Sequence, residues 1–317
     1  MSVNSQTVTQ LLNDENIQER AKLEDFIAVA SGARKVSQLM VPADFPAADR
    51  IKSHIDEGFK TRYYHGKSHG GITALLDPIK YGLMRAFMNP LRYKASLLRE
   101  SFHQVVFDHD NYKAHRRWAD EMNLEIYETQ IRPSLDEMYV ARDEDGLQEL
   151  IDFQKRREEI RREIVQQARQ QGNMQVMLMP EERSPEYVSG LGRILGYPDC
   201  CIEAYIDDIQ KSVDSALRAS NELSDMDESA EDRSFNLHAY FASGFFPCAP
   251  DCENATQTGK EMQEKVTQID ERLSDYMLRT FRSNKDYVLK YPEIRKQRRE
   301  QMMSKLGGME DGVSRPR

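Results

Sequence analysis

The chain lacks any long apolar run, since no stretch approaches the roughly 20 residues that a membrane-spanning helix requires. Residues 1–18 are polar and acidic, without the basic start and apolar middle of a signal peptide. We therefore expect a cytoplasmic protein. Cysteine is also scarce, with four residues in 317. Because cytoplasmic thiols stay reduced, we expect these cysteines to be ligands or reactive groups rather than disulfides.

Positive charge is in short supply. The sequence has 44 Lys and Arg against 53 Asp and Glu, a formal net charge of −9. A protein with this balance has no bulk affinity for nucleic acid, although a local basic patch can still provide one. We also expect no membrane partner, and the composition identifies no other partner.

Several catalytic motifs are absent as well. There is no Gly-x-Ser-x-Gly turn, no dinucleotide-binding fingerprint and no Cys-x-x-x-Cys-x-x-Cys motif. Gly66-Lys-Ser68 resembles the end of a phosphate-binding loop, but the position that requires the first glycine holds Thr61. We interpret this segment as a polar turn. Whether the chain is an enzyme stays open.

The hydrophobic pattern predicts a mainly helical α+β protein. Residues 72–122 carry Leu, Met, Phe and Ala at helical spacing. A strand centred on Met138–Ala141, a charged helix over about 147–171 and a second strand at 175–179 predict one small βαβ-like unit before the cysteines. The interleaved charges of Arg156–Arg162 indicate a solvated helix face, with an RNA-binding ridge as the alternative.

The same pattern divides the chain into four parts. We predict an N-terminal helical region over 1–132, a cysteine-motif domain over 133–258, C-terminal helices over 259–306 and a loose tail over 307–317. The first region carries a dense set of potential ligands, His103, His109 and His115. Their spacing of six residues differs from the i, i+4 spacing of helical zinc ligands, so we expect no second metal site there.

All four cysteines lie in two motifs that combine proline with the start of a predicted helix. The first is Gly196-Tyr-Pro-Asp-Cys-Cys201, and the second is Phe245-Phe-Pro-Cys-Ala-Pro-Asp-Cys252. Free amide groups at a helix N-terminus stabilise sulfur anions, so thiolates there are better metal ligands and nucleophiles. Cys248 and Cys252 can face the same way, whereas the adjacent Cys200 and Cys201 converge only if the backbone turns sharply.

Three interpretations of these cysteines stay open. The first choice is an iron–sulfur cluster such as [4Fe–4S], which takes four thiolates and keeps them further apart than a single ion does. Zinc is the second; of the two pairs, only the second has the usual zinc spacing. A dithiol that cycles with a disulfide would leave one pair unexplained. His238, ten residues before Cys248, is a further candidate ligand.

At these residues the chain resembles a poorly characterised, mainly archaeal family, the domain of unknown function numbered 483. The resemblance rests on Gly196-Tyr-Pro-x-Cys-Cys201 and Pro247-Cys-x-x-x-Cys252 and covers the region from about Met138 to Ala255. It implies that the four cysteines act as one unit, and it implies no activity. Residues 1–130 carry no motif of this kind.

These observations predict a cytoplasmic protein that binds a metal ion or an iron–sulfur cluster through Cys200, Cys201, Cys248 and Cys252. Redox or sulfur chemistry is the first functional hypothesis. The alternative is a non-enzymatic, zinc-stabilised module that binds a protein or RNA.

Overall fold

The computed structural model describes residues 4–66, 76–171, 179–228 and 236–310. The chain forms two compact units. Unit 1 comprises Met1–Asp152 with Gln268–Asp270, and unit 2 comprises Phe153–Thr267 with Glu271–Arg317. No helix within the described ranges is long and apolar enough to cross a membrane. The four-part division of the sequence stays a prediction.

Unit 1 combines helices with a three-stranded antiparallel sheet. Its helices are α1 (Ser5–Leu12), α2 (Glu19–Ala21), α3 (Ala28–Ala30), α4 (Ala48–His65), α5 (Asp77–Phe87), α6 (Pro90–Val106), α7 (Asp110–Met122) and the start of α8 (Glu144–Gln170). Its strands are β1 (Val36–Val41), β2 (Glu125–Arg132) and β3 (Leu135–Ala141). The sheet order is β1-β3-β2, so β3 has a partner on both edges.

The central strand confirms part of the sequence prediction. Met138–Ala141 is completely buried in β3, as a continuous apolar run in a central strand should be. The mainly helical α+β class is confirmed, and α8 follows β3 as predicted. Residues 175–178 of the predicted second strand lie outside the described residues. Strands β1 and β2 were not predicted from the sequence.

A fully buried helical segment lies at the centre of unit 1. Helices α2 and α3 flank a π-helical turn, Lys22–Ile27, and all nine residues from Ala21 to Val29 are buried. The ammonium group of Lys22 donates to the carbonyl oxygen of Leu12 at 2.7 Å and to Glu19 at 2.6 Å. Its charge is therefore compensated inside the unit.

Unit 2 is built from helices alone in the residues that the structure describes. They are the remainder of α8, α9 (Pro185–Ile194), α10 (Asp199–Gln210), α11 (Ser215–Glu228), α12 (Glu253–Thr267) and α13 (Leu273–Glu310). Two short 3₁₀ turns, Pro180–Arg183 and Leu237–Tyr240, lie between them.

Two glycines allow the elements beside the cysteines to pack closely. A Cβ atom on Gly192 of α9 would lie 2.8 Å from the side chain of Ile202 on α10. A Cβ atom on Gly259 of α12 would lie 2.0 Å from the carbonyl oxygen of His238. A side chain at position 259 would collide with the main chain, and one at position 192 would require the Ile202 side chain to move. The close packing of α10 and α12 therefore depends on these glycines.

Candidate metal centre

The four cysteine sulfurs come together in unit 2. All four Sγ atoms lie within 4.8 Å of one another. The Sγ atom of Cys252 is 3.7 Å from those of both Cys200 and Cys201, which are 3.9 Å from each other. Cys201 and Cys252 are buried, and Cys200 and Cys248 are partly exposed. The predicted convergence of the two motifs is therefore present, and the group can hold a metal ion.

Two helix starts supply three of these sulfurs. Cys200 and Cys201 are the second and third residues of α10, while Cys252 immediately precedes α12. The left-handed Gly196 (φ 76°) and Gly244 (φ 72°) lie before the cysteines of the two motifs and permit the sharp backbone turns. Pro198 then precedes α10, and Pro250 stands in the corresponding place two residues before Cys252. The two Pro-Asp-Cys segments thus lead in similar ways into α10 and α12.

Hydrogen-bond donors point at the sulfurs. The backbone N–H of Cys248 donates to Sγ of Cys201 at 3.4 Å, and that of Ala255 donates to Sγ of Cys252 at 3.4 Å. The side-chain amide of Asn254 donates to Sγ of Cys200 at 3.3 Å. Donors in these positions stabilise thiolates, as do the positive ends of two helix dipoles.

Arg218 of α11 holds the second cysteine motif in place. Its guanidinium donates to the carbonyl oxygens of Cys248 at 3.2 Å and Pro247 at 3.4 Å. The same group donates to Asp208 of α10 at 2.8 Å and to Glu222 at 2.8 Å. A single side chain therefore links the helix that carries one cysteine pair to the backbone of the other. Arg218 was not predicted from the sequence.

The thiols differ in acidity. Burial, reinforced by the neighbouring thiolates, raises the pKa of Cys201 far above its usual range. Burial and the hydrogen bond with Cys252 raise the pKa of Cys248 to about 12. Burial also acts on Cys200, but the hydrogen bonds from Asn254 and the other cysteines outweigh it and lower the pKa. A divalent cation would offset both the burial and the repulsion between thiolates that keep Cys201 and Cys248 protonated.

Comparison with known proteins finds a family model that matches the part of the chain around this site. Residues 122–275 match a family model described as "Protein of unknown function (DUF483)". The match includes all four cysteines and confirms the resemblance inferred from their motifs.

A relative and the solved structures add to this comparison. An uncharacterised protein of Methanocaldococcus jannaschii is 28% identical over 92 residues, which cover 27% of this chain. The matched part spans about half of that relative, 48% of its length. No solved structure matches the chain.

His238 lies outside the sulfur group. One ring nitrogen contacts the side-chain oxygen of Asn236 at 2.9 Å, and the other contacts that of Gln263 at 2.6 Å. Both nitrogens therefore already have partners, and His238 is not in the set of groups that could share a metal with the cysteines. Its ring packs against Phe281 with centroids 5.8 Å apart.

The histidines of unit 1 form no metal-binding group within the described residues. His109 precedes α7, and its Nδ1 accepts from the backbone N–H of Asn111 at 3.1 Å. His115 is completely buried and stacks on Phe45 with ring centroids 4.6 Å apart. Burial lowers the pKa of His115 to about 4. Ser68, in the segment that resembles a phosphate loop, lies outside the described residues.

Proposed function

We propose that Cys200, Cys201, Cys248 and Cys252 hold one tetrahedral Zn²⁺ ion that stabilises unit 2. The observation that supports this most directly is the 3.7–3.9 Å separation of three of the sulfurs. Zinc–sulfur bonds of about 2.3 Å in a tetrahedron place the sulfurs about 3.8 Å apart. The spacing thus suits one ion bound by all four thiolates.

The competing hypothesis is the [4Fe–4S] cluster, with redox or sulfur chemistry. Each cysteine of such a cluster binds a different iron atom, so its sulfurs lie further apart than around a single ion. A separation below 4 Å for three pairs favours the single ion. A single tetrahedral iron would have the same sulfur geometry as zinc, so the metal itself has to be measured.

A set of four protein ligands leaves no coordination position for a substrate. Closed sites of this kind are structural, whereas catalytic zinc sites keep one position for water. The ion would join the first turn of α10 to the segment before α12, across 46 intervening residues between Cys201 and Cys248. We therefore expect metal binding to contribute to the folding free energy of unit 2 rather than to a reaction.

The test is metal and acid-labile sulfide analysis of protein purified with and without air. We expect one zinc ion per chain, no sulfide, and cobalt substitution that gives the absorption of tetrahedral thiolate coordination. The chain has no cysteine outside the site, so thiol counting reports on the site alone. All four thiols should resist alkylation until the metal is chelated in denaturant.

Two variants separate the ligands from their surroundings. Cys201→Ser should lose the stoichiometric metal, whereas His238→Gln should keep one ion per chain. Iron and sulfide at about four each per chain would instead establish the cluster. A protein without metal, folded equally well with and without chelator, would eliminate both proposals.

A further inference from the structure

The segment of α13 from Arg279 to Arg299 is strongly basic. It contains eight cations and two carboxylates, a formal charge of +6 in a chain whose total is −9. We name its cations the α13 basic ridge: Arg279, Arg282, Lys285, Lys290, Arg295, Lys296, Arg298 and Arg299. All of them except Lys285 are exposed. Since the Debye length is about 8 Å at physiological salt, distant carboxylates do not cancel this local field.

Most of the ridge is not neutralised by ion pairs. Within the described residues, no carboxylate pairs with Arg282, Lys290, Lys296, Arg298 or Arg299. Arg295 forms an ion pair with Asp214 at 3.5 Å. The ridge therefore offers several free positive charges to a partner.

The other charged helix of unit 2 differs in this respect. Arg156 of α8 pairs with Glu163 at 3.2 Å and with Glu186 at 2.6 Å. Arg161 pairs with the completely buried Glu181 at 3.2 Å. The segment Arg156–Arg162, considered above as an RNA-binding ridge, thus has its charge largely satisfied, whereas α13 does not.

The form of the ridge suits a linear polyanion. Twenty-one helical residues extend about 31 Å, and cations three residues apart lie about 4.5 Å apart along the axis. A helix that binds at a membrane surface needs an apolar face beside its basic face. Between Lys290 and Gln301 the one branched aliphatic side chain is Ile294. The part of α13 from Lys290 to Gln301 therefore lacks the apolar surface that would enter a bilayer.

Aromatic residues lie among the cations. Tyr287 is 37% exposed, and its ring lies 6.2 Å from that of Tyr291. The hydroxyl of Tyr291 donates to Asp214 at 3.3 Å, which fixes the second ring. Bases of a single strand stack on such exposed rings while cations follow its phosphates. We propose that the α13 basic ridge binds single-stranded nucleic acid through its phosphates, with Tyr287 as a stacking platform.

Fluorescence anisotropy with labelled poly-pyrimidine RNA and DNA single strands tests this proposal on the full chain. The variant Lys296→Gln/Arg298→Gln/Arg299→Gln should bind at least about tenfold more weakly. The slope of log K against log salt should become shallower by about 2, since each lost phosphate contact removes about 0.7. Tyr287→Ala should weaken binding about fivefold or more, and Tyr287→Phe should retain it.

A matched control is available in unit 1. Arg50, Lys52 and Lys60 of α4 are exposed cations, so changing all three to Gln alters the net charge equally. If this control weakens binding as much as the α13 variant, the ridge is not the binding site. Failure of the wild-type chain to bind either strand overturns the proposal, and so does preferential binding to anionic vesicles. Unchanged circular dichroism and thermal unfolding would show that each variant is folded.

Discussion

Replacing Arg218 with methionine would remove the link between α11 and both cysteine segments while keeping most of the aliphatic volume. The guanidinium makes hydrogen bonds to two carboxylates and two main-chain carbonyls. Only 6% of the Asp208 side chain is exposed, and Arg218 is its ion-pair partner. The substitution would therefore leave a buried carboxylate without its countercharge.

The magnitude follows from those contacts. Removing one partner of a buried ion pair costs about 3–5 kcal/mol. The hydrogen bond to Glu222 adds little, because that side chain is 38% exposed. Loss of the bonds to the carbonyls of Pro247 and Cys248 should loosen the second motif. Replacing a residue that hydrogen-bonds to the ligands without binding the metal itself typically lowers metal affinity by about 10- to 100-fold.

Two measurements would check these values. Denaturant unfolding of the metal-loaded protein gives the free energy of unfolding, and competition with a chromophoric chelator gives the affinity for the proposed zinc ion. Lys211→Met is the matched control, because Lys211 forms an ion pair with Asp207 in which both side chains are exposed, by 66% and 54% respectively. It should cost less than about 1 kcal/mol and leave the zinc affinity unchanged.

A second substitution tests the reason for the effect. Adding Asp208→Asn to Arg218→Met removes the unpaired charge and should restore most of the lost stability. The zinc affinity should stay low, because the carbonyls of the second motif still lack their donor. If Arg218→Met is as mild as Lys211→Met in both assays, the assigned role of Arg218 is wrong.

Three further predictions concern packing, pH and metal removal. Gly259→Ala should destabilise unit 2 by about 1–3 kcal/mol or more, because its Cβ would collide with the carbonyl oxygen of His238. The control is Gly82→Ala, because a Cβ atom at Gly82 would have no atom within 4 Å. Equal effects of the two substitutions would contradict the packing argument. Burial, despite a nearby arginine, raises the pKa of Asp25 to about 8, so the native state retains a proton that the unfolded chain releases above about pH 4. The contribution of Asp25 to the stability of unit 1 should therefore be fully present below about pH 4 and fall towards pH 8, by at most about 1.4 kcal/mol per pH unit. Asp25→Asn should remove this contribution from a urea-unfolding series measured across the range. Chelation should lower the unfolding temperature of unit 2 measured by calorimetry. Trp118 is the one tryptophan and lies in unit 1, so the unfolding transition measured by its fluorescence should stay at the same temperature. A shift of both transitions would mean that the effect is not confined to the metal site.

The sequence was sufficient to predict the cysteine group because its signals are local. Each motif places proline beside cysteine at the start of a helix, and the structure has α12 beginning at Glu253 as predicted. The separation between sulfurs was not predictable, because it depends on where α10 and α12 lie in unit 2. Gly192 and Gly259 set those positions through contacts that leave no pattern in the sequence.

The features that were missed depend on partners distant in the chain. Arg218 contacts carbonyls 29 and 30 residues away, and nothing in the neighbouring sequence marks such a contact. Strand β1 stands between residues that break regular structure, Gly32 and Pro42, and its register with β3 pairs Val36 with Ala141. Strand β2 is mostly half-buried and has a weak alternation of polar and apolar residues, so its pairing with β3 is what identifies it.

The buried helical segment Ala21–Val29 has a consequence for variation. A helix with one face in solvent tolerates substitutions at every third or fourth position, whereas this segment has nine consecutive buried residues. Lys22, Glu24 and Asp25 are as enclosed as the apolar residues between them. A saturation mutagenesis scan should therefore show an unbroken block of intolerant positions rather than a helical stripe. Natural variants of this chain should be sparse along the same nine residues.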